Sequence, residues 1–392
     1  MTGRQRRFLF LFALANAAGF IAFIPLLTLV LPAKIGALAG DFQIEWLAAA
    51  SLAGAVAASV ANVGFGWASD VIGTRRGWAA LGLVLTLASY VAIHFATSAL
   101  AIVLAVIGYQ VALNMLLAPV TAWAADVVPD SDKGLLGGLL AAGPAAGAVA
   151  GAIVTLPMIG GQSSQLALIC MLVLCLAAPL LALGSASARV PAPQPAPIEV
   201  RRYFDFSVLW IARLLVQIAG AVLFTFLLYY FQGNAVPASQ FQVALLSAAT
   251  LLAAFPLTLA LGRISDRIGP RKPFLFAAVV TAAGGLLIMA LQQSLALAMV
   301  GYAIFGCATA SFLALHSAFS MQLLPSPARY GRDLGVLNLT NTLPNIIAPA
   351  LAVWLVPGRG FGPLLTLLAF LMLLAGLFVL MVRSDTSVRP SA

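Results

Sequence analysis

The chain has 392 residues, 62% of them apolar and only 8% charged, whereas a soluble domain is about 45–50% apolar and about 25% charged. That balance excludes a water-soluble globule: the polar residues cannot cover its surface, so the solvent for most of the chain is lipid. The net charge of +9 would suit nucleic acid in a soluble protein, but the cations sit between apolar runs, and no nucleic-acid partner is expected.

Apolar windows of about 20 residues, enough to span the roughly 30 Å hydrocarbon core as helices, follow one another from the N-terminus. The first has basic residues before it, as a signal peptide would, yet it runs over 8–31 with no small-residue cleavage site and reads as a retained helix. Five more cover 46–67, 77–97, 100–123, 135–159 and 166–183. The stretch 185–202, SASARVPAPQPAPIEVRR, is rich in proline and basic residues and reads as a linker. A second set of six covers 206–231, 243–261, 274–291, 295–324, 334–356 and 361–382. The expected fold is an all-α integral membrane protein with twelve transmembrane helices in two pseudo-symmetric six-helix bundles. Residues 1–184 form one bundle, 185–202 a cytoplasmic linker and 203–392 the other.

Short loops rich in Lys and Arg stay in the cytoplasm. With the N-terminus inside, 17 of the 20 cations fall on that side, including Lys133, Arg329, Arg332, Arg383 and Arg389, while only Lys34 and Arg359 fall outside and Arg213 lies within a helix. Both termini are therefore expected in the cytoplasm, with the chain crossing a bacterial inner membrane. Cys170, Cys175 and Cys307 lie inside apolar runs without ligand-like spacing, so neither a disulfide framework nor a metal or other cofactor is expected.

The loop after the second predicted helix reads Gly66-Trp-Ala-Ser-Asp70-Val-Ile-Gly73-Thr-Arg75-Arg76. The loop after the eighth reads Gly262-Arg-Ile-Ser-Asp266-Arg267-Ile-Gly269-Pro-Arg271-Lys272, 196 residues later at every matched position. Pro129 and Pro325 repeat the same offset. Physically, glycine permits close approach and a tight turn, and the aspartate can pair with a nearby arginine. The doubled pattern G-x-x-x-D-x-x-G-x-[RK]-[RK] resembles the signature of the major facilitator superfamily, although the first copy carries Val71 and Thr74 where members often have basic residues. The resemblance implies a transporter whose halves expose a midplane site alternately to each side. The segments Trp210-Ile-Ala-Arg213 through Tyr229-Tyr230 and Tyr330 through Asn345 are similar to the sugar and glycoside cation symporters, including sucrose-type carriers.

Polar side chains within apolar helices are costly and so carry most of the functional information. Arg213 lies 8 residues beyond Asp205, roughly 12 Å along a helix, with Gln217 one turn further as a possible clamp for a solute oxygen; snorkelling to the interface is the alternative. Gln110 and Asn114, with Tyr109 beside them, suit hydroxyl recognition or interhelical hydrogen bonding. Asn16 and Tyr302 complete the candidate solute-binding set. Asn338, Asn341 and Asn345 read as packing. His316, Asp205, Asp41 and Glu45 are the candidates for proton coupling. Gly143-Pro144-x-x-Gly147-Ala148 resembles part of a motif of drug and proton antiporters, but reads as close helix packing.

No nucleophile with a base, HExxH, GxSxG or phosphate loop is present, and no enzyme activity is expected. The expected function is secondary active transport of a small organic solute by a monomer, as proton-coupled sugar or glycoside uptake; the alternative is a proton-antiporting exporter of drugs or metabolites. Cysteine introduced at Ser164 is expected to label from outside, and cysteine at Ala192 only once the inner face is opened. The reverse labelling pattern would refute the orientation.

Overall fold

A computed structural model describes residues 3–128, 139–140, 142–184, 203–233, 237–291, 294–322, 336–337 and 339–383. The predicted linker 185–202, the cations Lys133, Arg329, Arg332 and Arg389, Pro129, Pro325, Tyr330 and Asn338 lie outside these residues. Helix is the dominant regular structure and no strand occurs among the described residues. Nine described helical segments are long and apolar enough to cross a membrane by length and composition, and two shorter apolar helices accompany them. The described residues fall into two compact units. One lies within Met1–Ala192 and takes in Ser239–Ala248; the other lies within Pro193–Ala238 and Ala249–Ala392.

In the first unit, α1 (Gly3–Pro25) runs without a break until Pro25, whose ring nitrogen donates no hydrogen bond. A π-helical turn, Leu26–Val30, follows, and α2 (Leu31–Ala39) continues the path with Pro32 in its first turn. The carbonyl of Ala22, just before this irregularity, accepts hydroxyl hydrogen bonds from both Tyr90 and Tyr109, each at 2.8 Å. Gly40, at φ +52°, ends α2. The chain then enters α3 (Gln43–Ile72), α4 (Arg75–Phe95), α5 (Ala99–Val127), α6 (Gly143–Val154) and α7 (Gly161–Leu183). The most extensive packing joins α5 to α3 and α4, with α1 against α6 and α7. Phe8, Phe12, Tyr90, Tyr109 and Trp123 are at the centre of this core.

The second unit contains α8 (Tyr203–Gln232), most of α9 (Gln240–Ile268), α10 (Lys272–Leu291), α11 (Leu295–Gln322), α12 (Pro344–Leu355) and α13 (Gly362–Met381). Here α10 packs on α11 and α13, and α8 on α13 and α12. Gly285 makes the tightest of these crossings possible, because a Cβ there would stand 2.6 Å from the Gly301 carbonyl oxygen. Tyr230 donates its hydroxyl proton to the Met289 carbonyl at 2.7 Å, which gives a buried phenol the partner it needs. Displaced by 196 residues, α3, α4 and α5 coincide with α9, α10 and α11 to within one residue at every end. The repeat seen in two loops is thus a repeat of three consecutive helices.

The stripe Gly143, Gly147 and Gly151 faces α1. A Cβ on Gly147 would meet the Phe20 carbonyl oxygen at 2.6 Å, whereas one on Gly151 would meet side chains alone, nearest the Leu29 methyl Cδ1 at 3.1 Å. Backbone cannot swing aside as a leucine tip can. Gly147→Leu is expected to destabilise by about 1–3 kcal/mol or more, the usual cost of overpacking. It should lower the thermal unfolding midpoint in detergent clearly more than Gly151→Ala does.

Candidate functional site

The first glycine-aspartate loop is built by a helix end. Gly73 adopts φ +72° as the cap of α3 and returns its N–H to the Ser69 carbonyl at 3.2 Å, so that Arg75 opens α4 beside the last turn of α3. Arg75 spreads its guanidinium over three acceptors. Its Nη2 contacts Asp70 Oδ1 at 2.6 Å, its Nε contacts Asp126 Oδ2 at 2.6 Å, and its Nη1 donates to Ser69 Oγ at 2.9 Å. Ser69 in turn donates its hydroxyl proton to the Gly66 carbonyl, leaving its lone pairs to the arginine. The Arg75 side chain is 13% exposed, Asp126 28% and Asp70 52%, so the Asp126 arm is the better shielded and the stronger. Arg76 reaches the Ala182 carbonyl near the end of α7 at 3.2 Å.

The second loop repeats the turn and only part of the network. Gly269, at φ +98°, donates its N–H to the Ser265 carbonyl at 2.9 Å, and Arg271 contacts Asp266 at 2.9 Å. Arg271 Nη1 and Ser265 Oγ, counterparts of groups that pair in the first loop, are buried without a partner among the described residues. Position 322, displaced by 196 from Asp126, is a glutamine. Arg267 lies exposed and Lys272 begins α10. The close approach that the sequence suggested for the leading glycines is not seen at Gly66 or Gly262, where a Cβ would meet open space; the constrained glycines are Gly73 and Gly269. Asp126 was missed by the sequence reading. Its signal was an acid in the last turn of a helix whose following loop was read as cytoplasmic.

Within the first unit, Gln110 is buried, and its backbone carbonyl accepts from Asn114 Nδ2 at 2.9 Å. Asn114 Oδ1 accepts from Asn62 of α3 at 3.0 Å, a partner not anticipated from the sequence. Tyr109 is fully buried with its hydroxyl on Ala22. Asn16 faces Gly143 of α6, and its Nδ2 is buried with no partner among the described residues. Asp41 is exposed in the turn after α2, and Glu45 lies in the first turn of α3 with a buried, unpartnered Oε2.

Within the second unit, Arg213 and Gln217 meet on one acceptor. Gln217 Nε2 donates to Asn341 Oδ1 at 2.8 Å, Arg213 Nη2 approaches the same oxygen at 3.4 Å, and Arg213 Nη1 donates to Ser317 Oγ at 2.8 Å. No carboxylate pairs with Arg213 among the described residues, and its Nε is buried without a partner. Asn341, read from the sequence as packing, therefore belongs to the Arg213 cluster, as does Ser317. His316, one residue earlier, is fully buried. Its Nε2 lies 2.8 Å from the Leu209 carbonyl, which can only accept, so Nδ1 is left to accept from Ser320 at 3.2 Å. Asp205 is buried at the start of α8 and accepts from the Arg383 backbone N–H at 2.9 Å. Tyr302 stacks edge-on with Phe231 at 6.4 Å between centroids.

Residues 206–392 match the family model described as Major Facilitator Superfamily. An inward-facing, unoccupied crystal structure of a bacterial homologue of the human lysosomal transporter Spinster superposes with a TM-score of 0.68 at 15% identity, covering 97% of this chain and 96% of that one. The peptide transporter POT in complex with sulfate gives a TM-score of 0.72 at 15% identity, with 96% and 94% covered. A mutant of POT in complex with alafosfalin gives 0.72 at 12% identity, with 96% and 93% covered. At these identities the likeness is one of fold. No curated protein matches the sequence. The family match lies in the second half of the chain, and the shared fold extends over 97% of it.

Asp126→Asn removes one charged acceptor from Arg75, an interaction worth roughly 1.5–3 kcal/mol. Amide hydrogen exchange across residues 69–77 is expected to accelerate by about tenfold or more. Asp266→Asn, acting on an aspartate that is 65% exposed, should change exchange in residues 265–273 much less.

Proposed function

We propose that the chain is a secondary active transporter of the major facilitator superfamily that moves a small polar organic solute by alternating access. The observation that carries this reading is Arg213. A cation within an apolar helix is costly, and this one is held by neutral oxygens of Ser317 and Asn341, with Nε unpartnered and no counter-ion among the described residues. Such an arginine is organised to take an oxygen from a bound solute, and Gln217 on the same helix supplies an amide beside it. Hydroxyl-rich solutes suit that mixture of guanidinium, amides and hydroxyl, which supports sugar or glycoside uptake. Export of a drug or metabolite by proton antiport is the alternative reading.

Twelve crossings with both termini in the cytoplasm complete the proposal. The 68-residue helical run Gln5–Ile72 is far too long for one crossing of about 20 residues and turns at Gly40, so it supplies two. The other eight long helices supply one each, and Gly143–Val154 and Leu339–Leu355 mark the remaining two. The two bundles are assigned to 1–184 and 203–392 around the linker 185–202, in a monomer of the bacterial inner membrane. Gln110, Asn114, Tyr109, Asn16 and Tyr302 remain the other proposed solute contacts, and the paired loops the gating elements. Protons are the proposed coupling ion. His316 is the leading carrier, because protonation would turn Nδ1 from acceptor to donor and break its bond from Ser320; Asp205, Asp41 and Glu45 are the alternatives.

In proteoliposomes screened with sugars and glycosides, Arg213→Ala is expected to weaken binding of the transported solute by about tenfold or more, the equivalent of one charged hydrogen bond. Arg213→Lys should rescue only in part, since lysine lacks the planar fork. An inwardly directed proton gradient should stimulate uptake, and His316→Gln should uncouple it. Unchanged binding in Arg213→Ala would remove that residue from the site, and uptake indifferent to the gradient would remove the proton.

A further inference from the structure

The end of the first unit away from the Asp70–Arg75 loop holds a second polar cluster. The two ends are separated by the length of α3, 30 residues, or roughly 45 Å at 1.5 Å per residue. A cavity of about 520 Å³ opens there, lined by the end of α2, the end of α4, the start of α7 and Gln240, which lies in the segment grouped with this unit. Lys34 enters it and donates from Nζ to the His94 carbonyl at 2.8 Å. That contact uses one of the three ammonium protons, and no carboxylate pairs with Lys34 among the described residues. No acidic side chain lines the cavity among the described residues.

Three further lining groups are buried and lack a partner among the described residues: His94 Nδ1, Gln162 Nε2 and Gln240 Nε2. The Gln240 amide is oriented, because its Oε1 accepts from Gln165 Nε2 at 3.2 Å and its Nε2 is left as the open donor. Gln162 belongs to the first turn of α7 and Gln240 begins α9, so the free N–H groups and positive ends of two helices add to the same local charge. A cation, two amide donors and two helix N-termini share one cavity that offers no anionic acceptor. Groups this costly to bury unpaired are complemented by one class of ligand.

We propose that this cavity binds a small oxyanion, a carboxylate or phosphate group, held by Lys34, Gln162 and Gln240 with His94 at its edge. The oxyanion accepts from the free protons of Lys34 Nζ and from the two open amide nitrogens. It satisfies in one step donors that the fold leaves unpaired. Two sources share this chemistry, a soluble anion and the phosphate of an anionic lipid headgroup. The site does not depend on the transport reading, because its occupancy is read as binding alone.

The test uses the full chain purified in a neutral detergent, with the thermal unfolding midpoint followed against sodium citrate and sodium phosphate at constant ionic strength. Parallel samples are placed in nanodiscs of phosphatidylcholine with and without phosphatidylglycerol. Saturable stabilisation by citrate or phosphate is expected, with the apparent affinity reduced about tenfold or more by Lys34→Gln and by Gln162→Leu. Gln162→Leu keeps the Lys34–His94 contact, so its loss of binding would not report a damaged fold. Stabilisation confined to phosphatidylglycerol nanodiscs and lost in both variants would assign the oxyanion to a lipid headgroup. Absence of saturable stabilisation by all three probes, or equal stabilisation in both variants, would overturn the proposal.

Discussion

Hydrocarbon offers no hydrogen bond to a peptide group, and that constraint organises the chain from its sequence to its site. Helices meet it by pairing each N–H with a carbonyl one turn back, which is why so apolar a chain is helical wherever it is described with regular structure. Where the ladder is disturbed, side chains make up the difference. Beside Pro25 and the π-turn the Ala22 carbonyl takes the hydroxyls of Tyr90 and Tyr109. Hydroxyls along the helices fold back on their own backbone, as Thr28 does on Ile24, Thr86 on Gly82 and Ser317 on Leu313. Each such bond removes a polar group that lipid could not solvate.

The same constraint makes the unpaired groups informative. Most polar side chains in the helices are committed: Tyr230 to Met289, His316 to Leu209 and Ser320, Asp205 to the Arg383 backbone. Arg213 and the Lys34 cavity differ, because each retains a cation that no carboxylate neutralises among the described residues and each keeps a buried nitrogen without a partner nearby. A fold selected only for stability would replace such groups with apolar ones at little cost. On the proposed readings, their retention is what links the packing of the helices to the recognition of a ligand.

The two signature loops show how a repeat can diverge in energy while keeping its geometry. Gly73 and Gly269 make the same left-handed turn, and Arg75 and Arg271 reach the same aspartate five residues back. Among the described residues, the first arginine also holds a serine hydroxyl and a second carboxylate, whereas Arg271 Nη1 has no partner. One loop is thereby bound to the helix after its own, through Asp126 of α5, while the other shows one ion pair among the described residues, to an aspartate that is 65% exposed. Two halves with equal backbone turns thus start from unequal restraints.

Composition, the run of apolar windows and the 196-residue offset were enough, from sequence, to read a helical, membrane-spanning chain with a repeated signature loop, because lipid solvent and turn chemistry act locally; that the repeat takes in three consecutive helices appeared only in the structure. Glycines at φ +72° and +98° were legible for the same reason: only the residue and its neighbours decide them. Arg213 and Gln217 were visible as polar residues one turn apart on an apolar helix. Their shared partner Asn341, 124 residues away from Gln217, was not. Nor was Asp126, 51 residues from Arg75, or the gathering of Lys34, His94, Gln162 and Gln240 around one cavity. Periodicity states which face of a helix is polar, but helix packing in three dimensions decides which polar faces meet, and hydrogen bonds of 3 Å exist only after that packing is set.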